Sequence, residues 1–341
     1  MKLISFTVPC YNSQDYMKKC VDSILVGGDD VEIIIVNDGS KDNTLRIAQD
    51  YARKYPNIVK VIDKKNGGHG SGVNAGLKAA TGLYFKVVDS DDWLDKNALT
   101  KLISTIKAHV SASRLPDLYI TNFIYDRVHD KEQYVSGYDK MMPQDRLISW
   151  NQVKKFRYSH MLLMHSLMYR RDKLLESGMV LPEHTFYVDN ICAYTPLPYM
   201  RSIYYLNVNL YHYYIGRADQ SVNKSNMVAR YKQQIRVMRE MIDAYSWQQL
   251  KQMSKGLRRY MWHALNVIMV VTLFFTCAEY SDERKKDLKE LWQHIKDKDK
   301  KLYRRLRSWS YTTPVNYMGW RARGWVLSKG YDIARKKVKL G

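Results

Sequence analysis

The chain has 341 residues, of which 45% are hydrophobic and 26% charged, ample for a core in one large domain or two of ordinary size. Its net charge of +21 is uneven: residues 1–216 hold 27 Lys and Arg against 23 Asp and Glu, whereas residues 217–341 hold 28 against 11, which points the C-terminal third toward an anionic partner. Four cysteines, at 10, 20, 192 and 277, lie far apart with no C-x-x-C pair, which argues against a zinc site or a disulfide framework and fits a reducing, cytosolic setting.

Residues 3–9 read as a first strand, because the apolar run is too short for a secretory signal and lacks a small-residue cleavage site. Pro9 to Ser13 is a turn whose proline closes the ladder. Gln14 to Val26 carries Tyr16, Met17, Cys20, Val21, Ile24 and Leu25 at a helical period. Val31 to Val36 is a second strand ending in Asn37-Asp38-Gly39-Ser40. A helix from Asn43 to Tyr55, a strand at Ile58 to Ile62, a glycine loop at Asn66 to Gly76, a short helix to Ala80 and a strand at Leu83 to Val88 follow. Continuous apolar strands alternating with helices predict an α/β architecture, a Rossmann-like, mostly parallel sheet with flanking helices. Parallel strands share direction, so the polar turns at Asp38 and Asp89 share one sheet edge, where open α/β sheets bind ligands.

At that edge Asp89-Ser90-Asp91-Asp92 sets two carboxylates two residues apart, a spacing that suits one divalent cation. Alone, the motif fits equally a turn in which Asp91 or Asp92 caps a helix begun at Trp93. Glycines at 67, 68, 70 and 72 allow backbone N–H groups to approach a phosphate ahead of a helix N-terminus, or else form a plain connector. No Gly-Lys-Ser/Thr ending marks a P-loop, and no G-x-G-x-x-G follows the first strand, so ATPase and dinucleotide readings are disfavoured.

Together, Ser5-Phe6-Thr7-Val8-Pro9-Cys10-Tyr11-Asn12, Ile35-Val36-Asn37-Asp38-Gly39-Ser40, the Asn66-Gly67-Gly68 to Asn74-Ala75-Gly76 loop and Asp89-Ser90-Asp91-Asp92 resemble family 2 glycosyltransferases of the GT-A fold. The resemblance implies a nucleotide-sugar site built from Pro9, Tyr11, Asp38, Gly67, Gly68, Asp89 and Ser90. Tyr11 and Pro9 would flank the base, Asp38 would accept from a uracil N–H, Asp89 would hold the ribose side, and Asp91 with Asp89 would bind Mg²⁺ or Mn²⁺ on the diphosphate. Where many relatives carry an arginine this chain has Val73, with Lys64, Lys65 and His69 as candidates in its place.

Further along, a helix is expected over Asp95 to Ala108, a strand at Asp117 to Asp126 paired with Gln133 to Tyr138, a strand at Met164 to Arg170, and a helix at Asp172 to Glu176 stopped by Gly178. Asp189 sits among apolar and aromatic residues, either as the N-cap of a helix from Asn190 or as a buried carboxylate of raised pKa. The resemblance assigns it as the base that deprotonates the acceptor, although Val188 replaces the preceding Glu of many relatives; Glu183 and His184 are nearby substitutes. Ile203 to Leu206 and Asn209 to Tyr214 read as two short strands. The Ile215 to Val222 loop either lets Arg217 reach a phosphate or forms an exit turn.

From Lys224 onward the pattern is helical. Residues 260–278 are uncharged, close to a membrane span in length, yet His263, Asn266, Thr272 and Thr276 dilute the run and favour a buried core helix. Lys285 to Arg307 is basic and amphipathic, and the tail mixes Trp309, Tyr311, Tyr317, Trp320 and Trp325 with Arg and Lys up to residue 339. That mixture suits an anionic lipid surface or a single nucleic-acid strand; no nucleic-acid motif accompanies it, so nucleic acid is not expected. The expected layout is a GT-A domain over 1–222, with a nucleotide-sugar half at 1–110 and an acceptor half at 111–222, then a basic helical region over 223–341. The expected activity is metal-dependent, inverting transfer from a UDP-sugar to a glycan or lipid-linked acceptor in surface polysaccharide or glycolipid synthesis, in the cytoplasm on the inner face of the cell membrane. The alternative is a catalytically silent relative whose basic third binds an anionic membrane or nucleic acid.

Overall fold

Strands rich in Ile and Val that are buried at every residue need cover on both faces, and two such runs pair in parallel at the centre of this protein. The computed structural model describes residues 1–127, 133–158, 160–215 and 223–338, with side chains to residue 333. They form two compact units, residues 1–154 with 162–215, and residues 155–161 with 216–341. All four cysteines are free and buried.

In chain order the first unit comprises β1 (Ile4–Cys10), α1 (Met17–Leu25), β2 (Val31–Asp38), α2 (Thr44–Lys54), β3 (Val59–Lys64), α3 (His69–Ala79), β4 (Tyr84–Val87), β5 (Trp93–Leu94), α4 (Lys96–Ser111), β6 (Leu118–Arg127), β7 (Tyr134–Ser136), β8 (Leu147–Ile148), β9 (Leu167–Arg170), α5 (Arg171–Glu176), α6 (Asp189–Cys192) and β10 (Ile203–Ile215). The sheet runs β3-β2-β1-β4-β9-β6-β10-β5, with β7 added on β6 and β8 on β10. The first four of these strands are mutually parallel, as are β6 and β10, while β9 joins the two groups antiparallel. Helix α3 packs on β1 and β2, α2 on β2 and β3, and α4 on β10.

Three expectations are corrected. Pro9 does not end the first strand but pairs with Val36. Thr7 turns its carbonyl to the β4 side, where it accepts from Val88 N–H, so Pro9, two residues on, points its missing N–H to a side that β4 has already left. The two tyrosine-rich strands are one strand, β10, bulged between Tyr205 and Tyr211. Neither Asp91 nor Asp92 caps a helix: the cap of α4 is Asp95, whose Oδ1 accepts from Ala98 N–H at 2.8 Å.

Glu32 of β2 ties this sheet together. It accepts from Ser5 Oγ (2.5 Å), Lys60 Nζ (2.7 Å), Thr81 N–H (2.5 Å) and Gly82 N–H (3.0 Å). Burial pushes its carboxyl up, but these bonds more than offset that and hold it at about 2.

The second unit is helical: α7 (Lys224–Ala229), α8 (Tyr231–Ala244), α9 (Trp247–Gln252), α10 (Lys255–Cys277), α11 (Asp282–Lys298), α12 (Lys300–Ser308), α13 (Thr313–Asn316) and α14 (Trp320–Val338). Helix α10 is long and apolar enough to cross a membrane by composition, yet it packs against α8, α11 and α14, and its polar residues are hydrogen-bonded within the same unit. Thr272 Oγ1 accepts from Gln234, Asn266 Oδ1 accepts from Tyr311 N–H, and His263 bonds Tyr311 Oη and the His160 carbonyl. Buried Arg284 donates to the carbonyls of Phe275 and Val228 and stacks 4.1 Å from the Tyr231 ring, so part of the basic charge is structural.

Candidate active site

The chain leaves β1 toward β2 on one side and returns as β4 on the other, so the strand order switches between β1 and β4, the place where open α/β sheets bind ligands at the strand ends. Ser13 Oγ and Ser90 Oγ bridge the turns after β1 and β4 at 2.8 Å. Tyr11 stands exposed on the first turn, and Pro9 lies just inside it.

Asp38 ends β2 on the same edge. Its carboxylate accepts from Gly67 N–H (2.9 Å), Gly68 N–H (2.7 Å) and Lys64 Nζ (2.7 Å). The two glycine amides expected to face a phosphate are therefore bonded to Asp38, and Lys64 is bonded there as well. Val73, at the position of the relatives' arginine, is fully buried on α3.

The glycines serve close packing. A Cβ on Gly70 would meet the Pro182 carbonyl at 2.7 Å, and Gly68, at φ +83°, lies against the His184 backbone. The Asn74 amide pairs with both backbone groups of Leu181 (2.8 and 3.0 Å), Ser71 Oγ donates to Glu183 (2.9 Å), and His184 N–H donates to the Gly67 carbonyl (2.6 Å). The glycine loop thus holds the 181–185 segment that leads to Asp189.

Asp89 follows β4. His69, the first residue of α3, places Nε2 2.7 Å from Asp89 Oδ1, and His165 Nε2 lies 3.9 Å from Oδ2. Burial raises the Asp89 carboxyl, but the charge and hydrogen bond of His69, then the charges of His165 and Lys86, outweigh it and leave its pKa below the usual value. Burial pulls His69 down, and Asp89 more than restores it, so its pKa ends above the ordinary value. His165 is buried, stacks on Tyr213 at 4.4 Å and is pulled by burial to about 4, so it is neutral at pH 7.

Asp92 is held by two residues of β10. It accepts from Tyr211 Oη (2.5 Å) and Tyr214 N–H (2.8 Å), while Tyr211 Oη in turn accepts from Asp89 N–H (3.1 Å). Burial, then the charges of Asp91 and Asp89, push its carboxyl well up. Asp189 opens α6, and burial raises its carboxyl to about 6, with His69 opposing and Asp89 reinforcing the shift. The charges of His69 and Asp89 both reach Asp189, and that of Asp189 reaches His69, which groups the three residues. Arg217 lies outside the described residues.

Lys86, His165 and Tyr211 were not singled out from the sequence. Only Lys86 carried a signal, a lone charge inside an apolar strand. It is buried, held at about 7 by burial, and donates to the carbonyls of His165 (2.6 Å) and Leu167 (3.2 Å), which fixes the turn that carries His165.

Among the described residues, one group of possible metal donors lies within 4.8 Å of one another: Asp89, Asp92 and His165. Asp91, half-buried, adds its negative charge beside them. Carboxylate oxygens are the hard donors that Mg²⁺ and Mn²⁺ prefer, so the residue set fits such an ion.

Residues 5–172 match the family described as Glycosyl transferase family 2. EpsH of Bacillus subtilis (strain 168), assigned as a glycosyltransferase, is 29% identical over 245 residues, 68% of this chain and 64% of that protein. EpsJ of the same strain, a further glycosyltransferase, is 43% identical over 101 residues, 29% of each chain. This chain thus spans less than two thirds of either relative. In structure it is similar to residues 1–349 of S. aureus TarS in complex with UDP-GlcNAc, with a TM-score of 0.68 and 20% identity over 97% of this chain and 92% of that one. That likeness gives the fold as GT-A-like, a mostly parallel sheet followed by a helical region.

Proposed function

Residues 5–172 belong to glycosyltransferase family 2, and on that premise we propose that the protein transfers a sugar, with inversion, from a UDP-sugar to a hydroxyl of a glycan or lipid-linked acceptor in surface polysaccharide or glycolipid synthesis. One observation carries the reading: Asp189, a hundred residues beyond Asp89 in sequence, opens a helix within reach of the Asp89 charge, and burial raises its carboxyl to about 6. A carboxylate of that pKa is ionised at neutral pH yet basic enough to take a proton from an attacking hydroxyl. The UDP part of the reading is supported by the switch in strand order between β1 and β4 and by the UDP-GlcNAc bound to TarS.

In this account Tyr11 and Pro9 flank the base, Asp38 faces its polar edge through the remaining capacity of Oδ2, and Asp89 with Ser90 holds the ribose side. Asp91 with Asp89 would hold Mg²⁺ or Mn²⁺, which when bound offsets the charge of the departing diphosphate. His69 fixes the Asp89 carboxylate through its hydrogen bond. Asp189 takes the acceptor proton as its oxygen attacks the anomeric carbon on the face opposite the nucleotide. The net charge of residues 217–341 supports a cytoplasmic protein docked peripherally on an anionic membrane face. The test is UDP release from UDP-sugars by the intact protein. Asp189→Asn should lose it while still binding UDP; undiminished release moves the base elsewhere.

A further inference from the structure

Helix α11 carries a row of lysines along one face. At about 100° per residue, Lys285, Lys289 and Lys296 fall within about 40° of one another, with Asp282 of the first turn on the same face and engaged by Tyr280 Oη (3.1 Å), while Glu283, Asp287, Glu290 and Asp297 fall on the far side. Those acids are engaged: Glu283 with Lys232 (2.5 Å), Asp287 with Tyr231 (2.8 Å), Glu290 with Lys286 (3.9 Å) and Asp297 with Gln293 (2.7 Å). Among the described residues no carboxylate pairs with any of the three lysines.

The lysines line a recess of about 440 Å³ in the second unit. Trp292 and Tyr303 form part of its wall, edge to face at 5.9 Å, and the Arg307 guanidinium stacks 5.1 Å from the Trp292 ring. Arg323, also in the wall, is committed to the carbonyls of Val315, Asn316 and Met318, and among the described residues no carboxylate pairs with Lys285, Lys289, Lys296 or Arg307. Such a concentration of one sign in a concave, partly apolar setting focuses potential on an anion entering it.

We propose that this recess binds a linear phosphate-bearing polymer, a chain of sugar or polyol units joined by phosphodiesters. The lysine row extends about 16 Å along α11, longer than a single phosphate needs and matched to successive charges on a chain. Arg307, braced by its ring contact, presents a planar fork to one phosphate. The half-buried ring of Tyr303 in the wall offers an apolar surface to the C–H faces of the units between phosphates. A bilayer is flat and meets convex surfaces, whereas these lysines border a hollow.

The test is binding of a fluorescently labelled linear polyol-phosphate oligomer to the intact protein across a salt series. It compares Lys285→Ala/Lys289→Ala/Lys296→Ala with Lys300→Ala/Lys301→Ala/Arg304→Ala, a triple of equal charge on α12. Removing the row should weaken binding at least tenfold and flatten the salt dependence, and the control should change it less than twofold. Equal loss in both triples, or loss in neither, overturns the proposal. So does a row variant that loses association with phosphatidylglycerol vesicles while binding the oligomer normally, since the row then serves a bilayer. The readout is binding alone, so failure of the donor chemistry leaves this result standing, and the reverse holds.

Discussion

His69 Nε2 lies 2.7 Å from Asp89 Oδ1, a contact that joins the first residue of α3 to the end of β4. It fixes one oxygen of the carboxylate proposed to hold the donor and the metal, in the way outer partners orient metal ligands. His69→Ala should therefore lower kcat/KM on the order of 10–100-fold and raise the Mn²⁺ concentration for half-maximal rate. An unchanged metal requirement would limit the pair to a structural role.

Asp189 carries the pH dependence. Its carboxyl is raised to about 6, and only the ionised form accepts a proton. The rate should be flat above that value and fall about tenfold per pH unit below it. Asp189→Asn should cost on the order of 10²–10⁴ in rate, abolish that acid limb and leave UDP affinity intact. A variant that kept the limb would assign it to another group.

The sheet was legible because β1, β2 and β4 are short, mostly apolar runs ending in polar turns, and shared strand direction placed Asp38 and Asp89 on one edge. The work of the glycine loop was not legible. A run of glycines signals close approach of something to backbone, but sequence does not say whether that is a phosphate or, as here, Pro182 and His184. The bulge in β10 was hidden because polar Asn207 and Asn209 resemble a break between strands, whereas Asn122 bonds both across the sheet. The approach of His165 to Asp89 joins residues 76 apart, beyond the reach of local pattern.

Gly76 tests the packing of α3 on β1. A Cβ there would lie 1.8 Å from Thr7 Oγ1 and 2.5 Å from Thr7 Cβ, so α3 must move away from the strand. Gly76→Ala should destabilise by about 1–3 kcal/mol in urea unfolding, and Gly319→Ala, with open space around it, by far less. Equal stability of the two variants would contradict the close approach.

Glu32 should dominate acid sensitivity of the first unit. Its folded pKa of about 2 lies below the unfolded value of about 4.3, so its contribution is full above about pH 4.3 and is lost as pH falls through about 2. Glu32→Gln should destabilise by about 1–3 kcal/mol at pH 7, and the gap to the parent protein should narrow between pH 4 and 2. A gap constant with pH would mean that the charge of Glu32 contributes nothing.

The most direct test of the donor site is thermal unfolding of the intact protein with UDP-sugars, each with Mn²⁺ and with EDTA. A ligand at about 100-fold over its Kd adds about 2.7 kcal/mol, enough to raise Tm visibly. Tm should rise with a UDP-sugar only when Mn²⁺ is present, and that rise should disappear in Asp91→Ala. No rise with any UDP-sugar, or the same rise in EDTA, would contradict it.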